Sequence, residues 1–292
     1  MNILTFDIEE WSLEKDYFGN NKQNYIQYDR LLDIVLEQLD VNNVTATFFC
    51  LGKIATDFPD VIKKIVSAGH EVGSHSNAHK WVNKMTVDEF REDTYSAIAA
   101  IEDVAGTKVK SFRAPAFSIG ESNKWAFEVM CECGITNDAS VFPEVRDFGG
   151  FPQFKEQKPC IIDYNGCKIN EFPIPIYSLP IINRGLAYSG GGYFRLLPLL
   201  FVKKQMMKRD YNMCYFHIAD LMADKMPLMT RKDYESYFKE NGSLSRRLLR
   251  YLKSNIGRRR ALNNLIALIE STSFISIRDF LGKSAIQNTI TI

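Results

Sequence analysis

An α/β fold is predicted by three features of the chain. Short apolar runs alternate with amphipathic stretches, glycines stand where those stretches stop, and polar residues gather where the apolar runs end. The first apolar run, Ile3 to Ile8, reads as a strand and closes on Asp7-Ile8-Glu9-Glu10. A helix is expected from about Asp29 to Asp40, where Leu31, Leu32, Val35, Leu36 and Leu39 recur at helical spacing, and Val44 to Cys50 forms a second strand. Val61, Ile62, Ile65 and Val66 mark a helix that Gly69 stops, and His70 to Ser74 is the next strand. Thr86 and Glu89 make a capping box for a helix running to Val104, which Gly106 ends before a strand at Val109 to Phe112. Ser122 is expected to cap the following helix, Gly134 to end it, and a short strand to deliver Asp138. A helix containing Leu196 to Met207 comes next, then a strand from Asn212 to Phe216 that delivers His217, and a last strand near Phe274 to Ile277.

The 292 residues, 46% hydrophobic and 24% charged, suffice to bury a full core. With 36 basic against 35 acidic residues the net charge is +1, which argues against nucleic acid as the main partner. The N-terminus lacks a basic leader and no apolar run reaches membrane-spanning length, so a cytoplasmic protein is expected. The six cysteines contain no C-x-x-C pair, and packed thiols rather than disulfides are expected in a reducing compartment. One domain is expected over residues 1–285, with 225–285 a helical, basic appendage and 286–292 a disordered tail.

Every candidate polar group falls at the C-terminal end of an expected strand: Asp7, His75, His79, Arg113, Asp138 and His217. In a βα barrel such ends converge on one mouth, where these folds place their chemistry. His75 and His79 stand four apart in a chain with only four histidines, and an imidazole pair with a carboxylate is a common ligand set for a divalent ion that keeps a position open for water.

The motifs, in order, are Thr5-Phe6-Asp7-Ile8-Glu9-Glu10-Trp11, Gly73-Ser74-His75-Ser76-Asn77-Ala78-His79, Phe112-Arg113-Ala114-Pro115-Ala116-Phe117-Ser118, Asn137-Asp138-Ala139-Ser140-Val141-Phe142-Pro143, Ser189-Gly190-Gly191-Gly192-Tyr193-Phe194-Arg195 and Tyr215-Phe216-His217. This series resembles the polysaccharide deacetylases, the NodB-homology esterases related to carbohydrate esterase family 4, and especially the branch whose first motif reads F-D-[VI]-E-[DE]-W. The resemblance covers about residues 1–220 and implies a distorted (β/α) barrel with extra C-terminal helices. It further implies metal-dependent removal of an N-acetyl group from an acetylated sugar in bacterial glycan synthesis, with Zn2+ or another divalent transition metal as cofactor.

The resemblance also implies roles. His75, His79 and Glu9 hold the metal, with Glu10 the alternative carboxylate; Asp7 takes the water proton, and Arg113 orients Asp7. Ala116 offers its backbone N–H to the oxyanion, and His217 protonates the departing amine. Relatives more often begin with adjacent aspartates, whereas here Ile8 separates Asp7 from Glu9; many also place an aspartate where Val141 stands, which leaves Asp138 and Asp220 as the candidates to support His217. Trp11, Phe117, Tyr193 and Arg195 are the candidate sugar contacts, the last two beside the Gly190-Gly191-Gly192 turn. Two rival readings stand beside deacetylation: hydrolysis of another non-peptide C–N bond, as in allantoinase-like relatives, and a catalytically silent glycan-binding barrel.

In the C-terminal part, Leu244, Leu248, Leu252 and Ile256 recur at helical spacing among Arg246, Arg247, Arg250 and Lys253. The expectation is a helix resting its leucines on the barrel with a solvated basic face. A sharper alternative is attraction of that face to anionic lipid or a lipid-linked carrier at the inner face of the membrane.

Overall fold

The computed structural model describes residues 1–179 and 184–292. Its strands are β1 (Asn2–Ile8), β2 (Thr47–Cys50), β3 (Glu71–Ser74), β4 (Ser111–Phe112), β5 (Asn137–Asp138), β6 (Cys160–Tyr164), β7 (Cys167–Glu171), β8 (Tyr177–Leu179), β9 (Arg184–Leu186), β10 (Asn212–His217) and β11 (Thr289–Thr291). The helices of the first half are α1 (Glu10–Asp16), α2 (Lys22–Val41), α3 (Gly52–Asp57), α4 (Pro59–Ser67), α5 (Val87–Ala105) and α6 (Trp125–Glu132). Those of the second half are α7 (Gly191–Leu196), α8 (Leu199–Met207), α9 (Arg231–Phe238), α10 (Leu244–Asn255), α11 (Arg258–Ser271) and α12 (Ile277–Lys283).

Nine strands form one sheet in the order β10-β1-β2-β3-β4-β5-β7-β6-β11, parallel from β10 through β7, with β6 antiparallel to β7. Among the described residues no ladder joins its two edges. Strand β1 lies inside this sheet and packs on both faces, which is why it reads as a nearly continuous apolar run. Its two-residue alternation still decides the site: Leu4, Phe6 and Ile8 join the core beneath the helices, while Ile3, Thr5 and Asp7 take the other face. Phe6 stacks on Phe48 of β2 at 4.9 Å, and the register pairs Asp7 with Phe49 and His217.

Local signals behave as their chemistry requires in α4 and α5. Thr86 and Glu89 close the capping box of α5, Gly106 ends it at φ 65°, and Gly69 takes φ 83° after α4. Helix α2 starts two turns earlier than the leucine spacing indicates, because Asn21 accepts the Gln23 N–H as its cap.

Several expectations are corrected. Ser122 does not cap α6; Asn123 instead binds the Gly120 N–H in a short 3-10 turn. The helix expected around Leu196 to Met207 breaks at Pro198 into α7 and α8. The strand near Phe274 to Ile277 is a single bridge between Ile275 and Ile3, since Ser276 caps α12. The supposed disordered tail forms β11, whose backbone extends the sheet alongside β6. Cys131 and Cys167, expected as packed thiols, form a disulfide because the start of β7 lies against α6 with the Cα atoms 6.2 Å apart; Cys50, Cys133, Cys160 and Cys214 remain thiols.

Candidate active site

The strand ends converge on a cleft of about 410 Å³ lined by Asp7, Glu9, His75, His79, Ala116 and His217 among others. Its floor is apolar: Phe49, Phe117, Met213 and Tyr215 belong to a buried cluster that surrounds the guanidinium of Arg113. Arg113 is fully buried, 4.3 Å from the centre of the Phe49 ring. Its Nη1 donates to Asp7 Oδ1 and to Thr5 Oγ1, both at 2.8 Å, and its Nε donates to the Ala139 carbonyl at 3.2 Å. A charge buried this deeply requires such a partner, and Asp7 is fixed by it.

The polypeptide after β3 is bent to bring two imidazoles together. Ser76 and His79 adopt φ of 71° and 57°, held by Ser76 Oγ accepting the His79 N–H and by Asp93 Oδ2 accepting the Asn77 N–H at 2.7 Å. One ligand atom from each of Glu9, His75 and His79 lies within 4.8 Å of the others. Glu9 Oε2 stands 2.8 Å from His79 Nε2 and 3.3 Å from His75 Nε2, yet it is buried without accepting a hydrogen bond of good geometry. His75 Nδ1 is 2.8 Å from the Arg113 carbonyl oxygen, which only accepts; Nδ1 therefore carries a proton, and Nε2 is the ring atom turned toward Glu9 and His79. This donor set fits a divalent ion of the zinc type.

Burial alone would raise the Glu9 carboxyl, but the imidazoles of His79, His217 and His75 outweigh it and hold Glu9 well below the usual carboxylate range. Glu10 faces the other way. Its Oε1 accepts the Ala219 N–H at 2.8 Å, and burial beside Glu9 pushes its carboxyl up to about 7. Of the two acids, Glu9 has an oxygen in the cluster with His75 and His79, while Glu10 braces the turn after β10.

His217 ends β10 just before that turn, and its Nε2 lies 3.8 Å from both Asp7 Oδ2 and Glu9 Oε1. Its Nδ1 meets Asp220 Oδ2 at 3.0 Å, so Asp220 takes the supporting place. Burial opposes the charged imidazole, but Glu9, Asp220 and Asp7 together hold His217 well above its ordinary value. Asp138 is elsewhere: it is buried beside Glu171, and its Oδ1 accepts from Ser140, which in turn accepts the Ala114 N–H. Burial raises both carboxyls, and the Asp138 charge raises Glu171 further; through Ser140, Asp138 supports the loop after Arg113.

In that loop Ala116 and Phe117 take φ of 55° and 53°, and Gly149 packs so closely on them that a Cβ there would fall 2.6 Å from the Ala116 oxygen. Ala116 and Phe117 line the cleft, as does Tyr193. Trp11 does not: it is buried in the core beside Tyr28, its Nε1 donating to Asp29, which corrects its expected place against a sugar. Arg195 reaches the wall but is committed, with Nη1 donating to the Ser254 carbonyl at 2.7 Å and Nε facing Asp220 at 3.5 Å; it is a strut between His217's partner and α10.

Residues 4–137 match the polysaccharide deacetylase family model, and residues 139–282 match a domain of unknown function, DUF3473. Residues 4–137 belong to the polysaccharide deacetylase family. A peptidoglycan-N-acetylglucosamine deacetylase of Bacillus cereus is 37% identical over 95 residues, which are 32% of this chain and 34% of that one. The matches to this and two further curated relatives span 34%, 19% and 40% of those proteins. Among solved structures, a Mycobacterium smegmatis protein assigned to the polysaccharide deacetylases superposes over the whole of this chain and 93% of its own, with TM-score 0.62 and 19% identity. A family 4 carbohydrate esterase pseudoenzyme of Bacillus anthracis gives 0.52 at 14% identity, covering 100% of this chain and 69% of its own. Both show the shared fold.

The half that matches DUF3473 supplies His217, Asp220 and, beyond the motifs read from sequence, a wall of the cleft. Tyr237 of α9 lies parallel to His79, 6.2 Å between ring centres, and Arg250 of α10 sits over Phe148 and Phe238 at 5.2 and 4.4 Å. Trp81 stacks on Phe148 at 4.6 Å, and both also border an adjoining groove of about 540 Å³. Only the aromatic spacing in α9 hinted at this wall, and buried aromatics more often build core.

Proposed function

We propose that the chain is a divalent-metal-dependent hydrolase that removes an N-acetyl group from a sugar of a bacterial glycan. The convergence of Glu9, His75 and His79 beside the Asp7–Arg113 pair is the observation that carries this reading. When bound, the ion lowers the pKa of water and polarises the amide carbonyl. Asp7, pinned through Oδ1 by Arg113, offers Oδ2 to the proton of the attacking water. The backbone N–H of Ala116 is assigned to the oxygen that becomes negative as the carbonyl carbon turns tetrahedral. His217, kept protonated by its acidic neighbours, gives the Nε2 proton to the leaving amine while Asp220 holds Nδ1. Phe117 and Tyr193 flank the sugar, and the groove beyond Trp81 and Phe148 supports a glycan of more than one residue.

The B. anthracis pseudoenzyme shows that the fold also persists without activity. Retention of Asp7, Glu9, both imidazoles and His217 in one cleft favours chemistry here. The test is acetate release from a panel of N-acetylated oligosaccharides, with chelator and zinc add-back. Zinc-restored acetate release supports the deacetylase; a ring-opened carboxylate formed from a cyclic ureide, without acetate release from the sugars, supports the rival C–N hydrolase; no product from the metal-loaded chain supports the silent barrel.

A further inference from the structure

Helix α10 is turned the opposite way from the expectation. None of its residues is buried, and Leu244, Leu248, Leu249, Leu252 and the following Ile256 are 43% to 57% exposed. Four of them, spaced by four, form one continuous apolar row. The face directed at the protein is polar: Arg247 donates to the Gly242 and Met229 carbonyls, Arg250 covers Phe148 and Phe238, and Ser254 and Lys253 receive Arg195. The leucines are left free of the core because the barrel side of the helix is spent on the cleft wall.

The charge around this row is one-sided. Residues 241–269 contain seven Lys or Arg and no Asp or Glu. Arg247, Arg250, Arg258 and Arg260 bind protein carbonyls, aromatic rings or Asp147. Lys253 and Arg259 are exposed and make no ion pair among the described residues. A row of leucines with a basic border is the pattern of a helix lying in a membrane interface, where apolar side chains enter the acyl boundary and cations meet lipid phosphates. A second copy of the chain would bring the same cations to the contact, whereas anionic lipid neutralises them.

We propose that α10 is an interfacial anchor that docks its leucine row on an anionic bilayer, with Lys253 and Arg259 at the phosphates. Lys253, Ser254 and the 41% exposed Leu196 also border the cleft, so docking holds its mouth at the headgroup layer, within reach of a glycan carried on lipid. Docking does not depend on the chemistry of the site, and the two fail separately.

The test is flotation of the full chain with vesicles of phosphatidylcholine alone or with phosphatidylglycerol, comparing wild type, Leu248→Ser/Leu252→Ser and Arg259→Glu. All three residues lie on the surface, so unchanged circular dichroism melts are the check on folding. Wild type should float with anionic vesicles, the double serine variant should bind at least roughly tenfold more weakly, and Arg259→Glu should lose part of the preference for anionic over neutral lipid. Wild type that ignores anionic vesicles, or a folded double variant that binds as well as wild type, overturns the proposal. A wild-type dimer that the double variant converts to monomer, without vesicle binding, places a second copy on the row and overturns it equally.

Discussion

The carbonyl oxygen of Arg113 accepts the Nδ1 proton of His75 at 2.8 Å, while the guanidinium of the same Arg113 holds Asp7. One buried residue thus fixes a proton on Nδ1 of a cleft-facing imidazole and the orientation of the adjacent acid. The first function runs through its backbone and the second through its side chain, so substitution separates them.

Removing the guanidinium by Arg113→Met should leave Asp7 buried without its partner and cost about 3–5 kcal/mol of stability. The double variant Arg113→Met/Asp7→Asn should recover part of that loss, since the unpaired charge is gone. Urea unfolding of the four proteins in the cycle measures this. Strictly additive losses would show that the two side chains are not coupled.

Asp220→Asn should pull His217 back toward the ordinary imidazole value, because one of the acids that raise it is lost. If His217 acts protonated, the high-pH limb of kcat/KM must then move to lower pH. An unchanged limb in a folded Asp220→Asn protein would remove His217 from the acid role.

His70 is buried without a hydrogen-bond partner, and burial, together with Arg278, depresses it to about 4. The unfolded chain binds a proton there near pH 6.5 and the folded chain does not until about 4, so stability is intact above that window and falls as pH drops through it. The loss from this group reaches roughly 3 kcal/mol below the window. His70→Gln should flatten the slope between those two pH values in denaturant titrations; an unaltered slope would mean His70 titrates normally.

The Cys131–Cys167 bridge closes a 36-residue separation, and chain entropy assigns such a loop up to roughly 4 kcal/mol. Thiol titration of the oxidised, denatured chain should find four free cysteines, and reductant should lower the melting temperature. Six reactive thiols before reduction would refute the bridge.

The motif-bearing strands and the ends they deliver were legible because a parallel strand packed on both faces must be apolar, and its polar terminus then stands out, as at Asp7, Ser74-His75 and His217. What depends on distant packing was not. Trp11 looks like a sugar platform beside the acids, yet it lies in the first turn of α1 and packs on Tyr28. Arg195 and Arg250 look free in a basic sequence, and only the approach of α10 to α7 braces the first on Ser254, as its approach to α9 and Phe148 sets the second over aromatic rings. Periodicity located the leucine row of α10 but carries no information about which side faces water. Strand β11 has only three residues and gains its order from β6, far away in sequence.

Asp7→Asn should keep the bound ion, because Glu9 rather than Asp7 shares the ligand cluster, while turnover falls by at least about 10²-fold for a lost general base. Metal analysis beside acetate release checks both halves. Loss of the ion would make Asp7 a ligand, and retained turnover would end its role as base.

The most direct measurement is metal content by plasma mass spectrometry, taken with acetate release, for wild type and His79→Ala. We expect about one zinc-type ion per wild-type chain, as three protein ligands with an open position require, and loss of ion and activity together in the variant. Equal metal content and full activity in the two proteins would contradict a catalytic ion held by Glu9, His75 and His79.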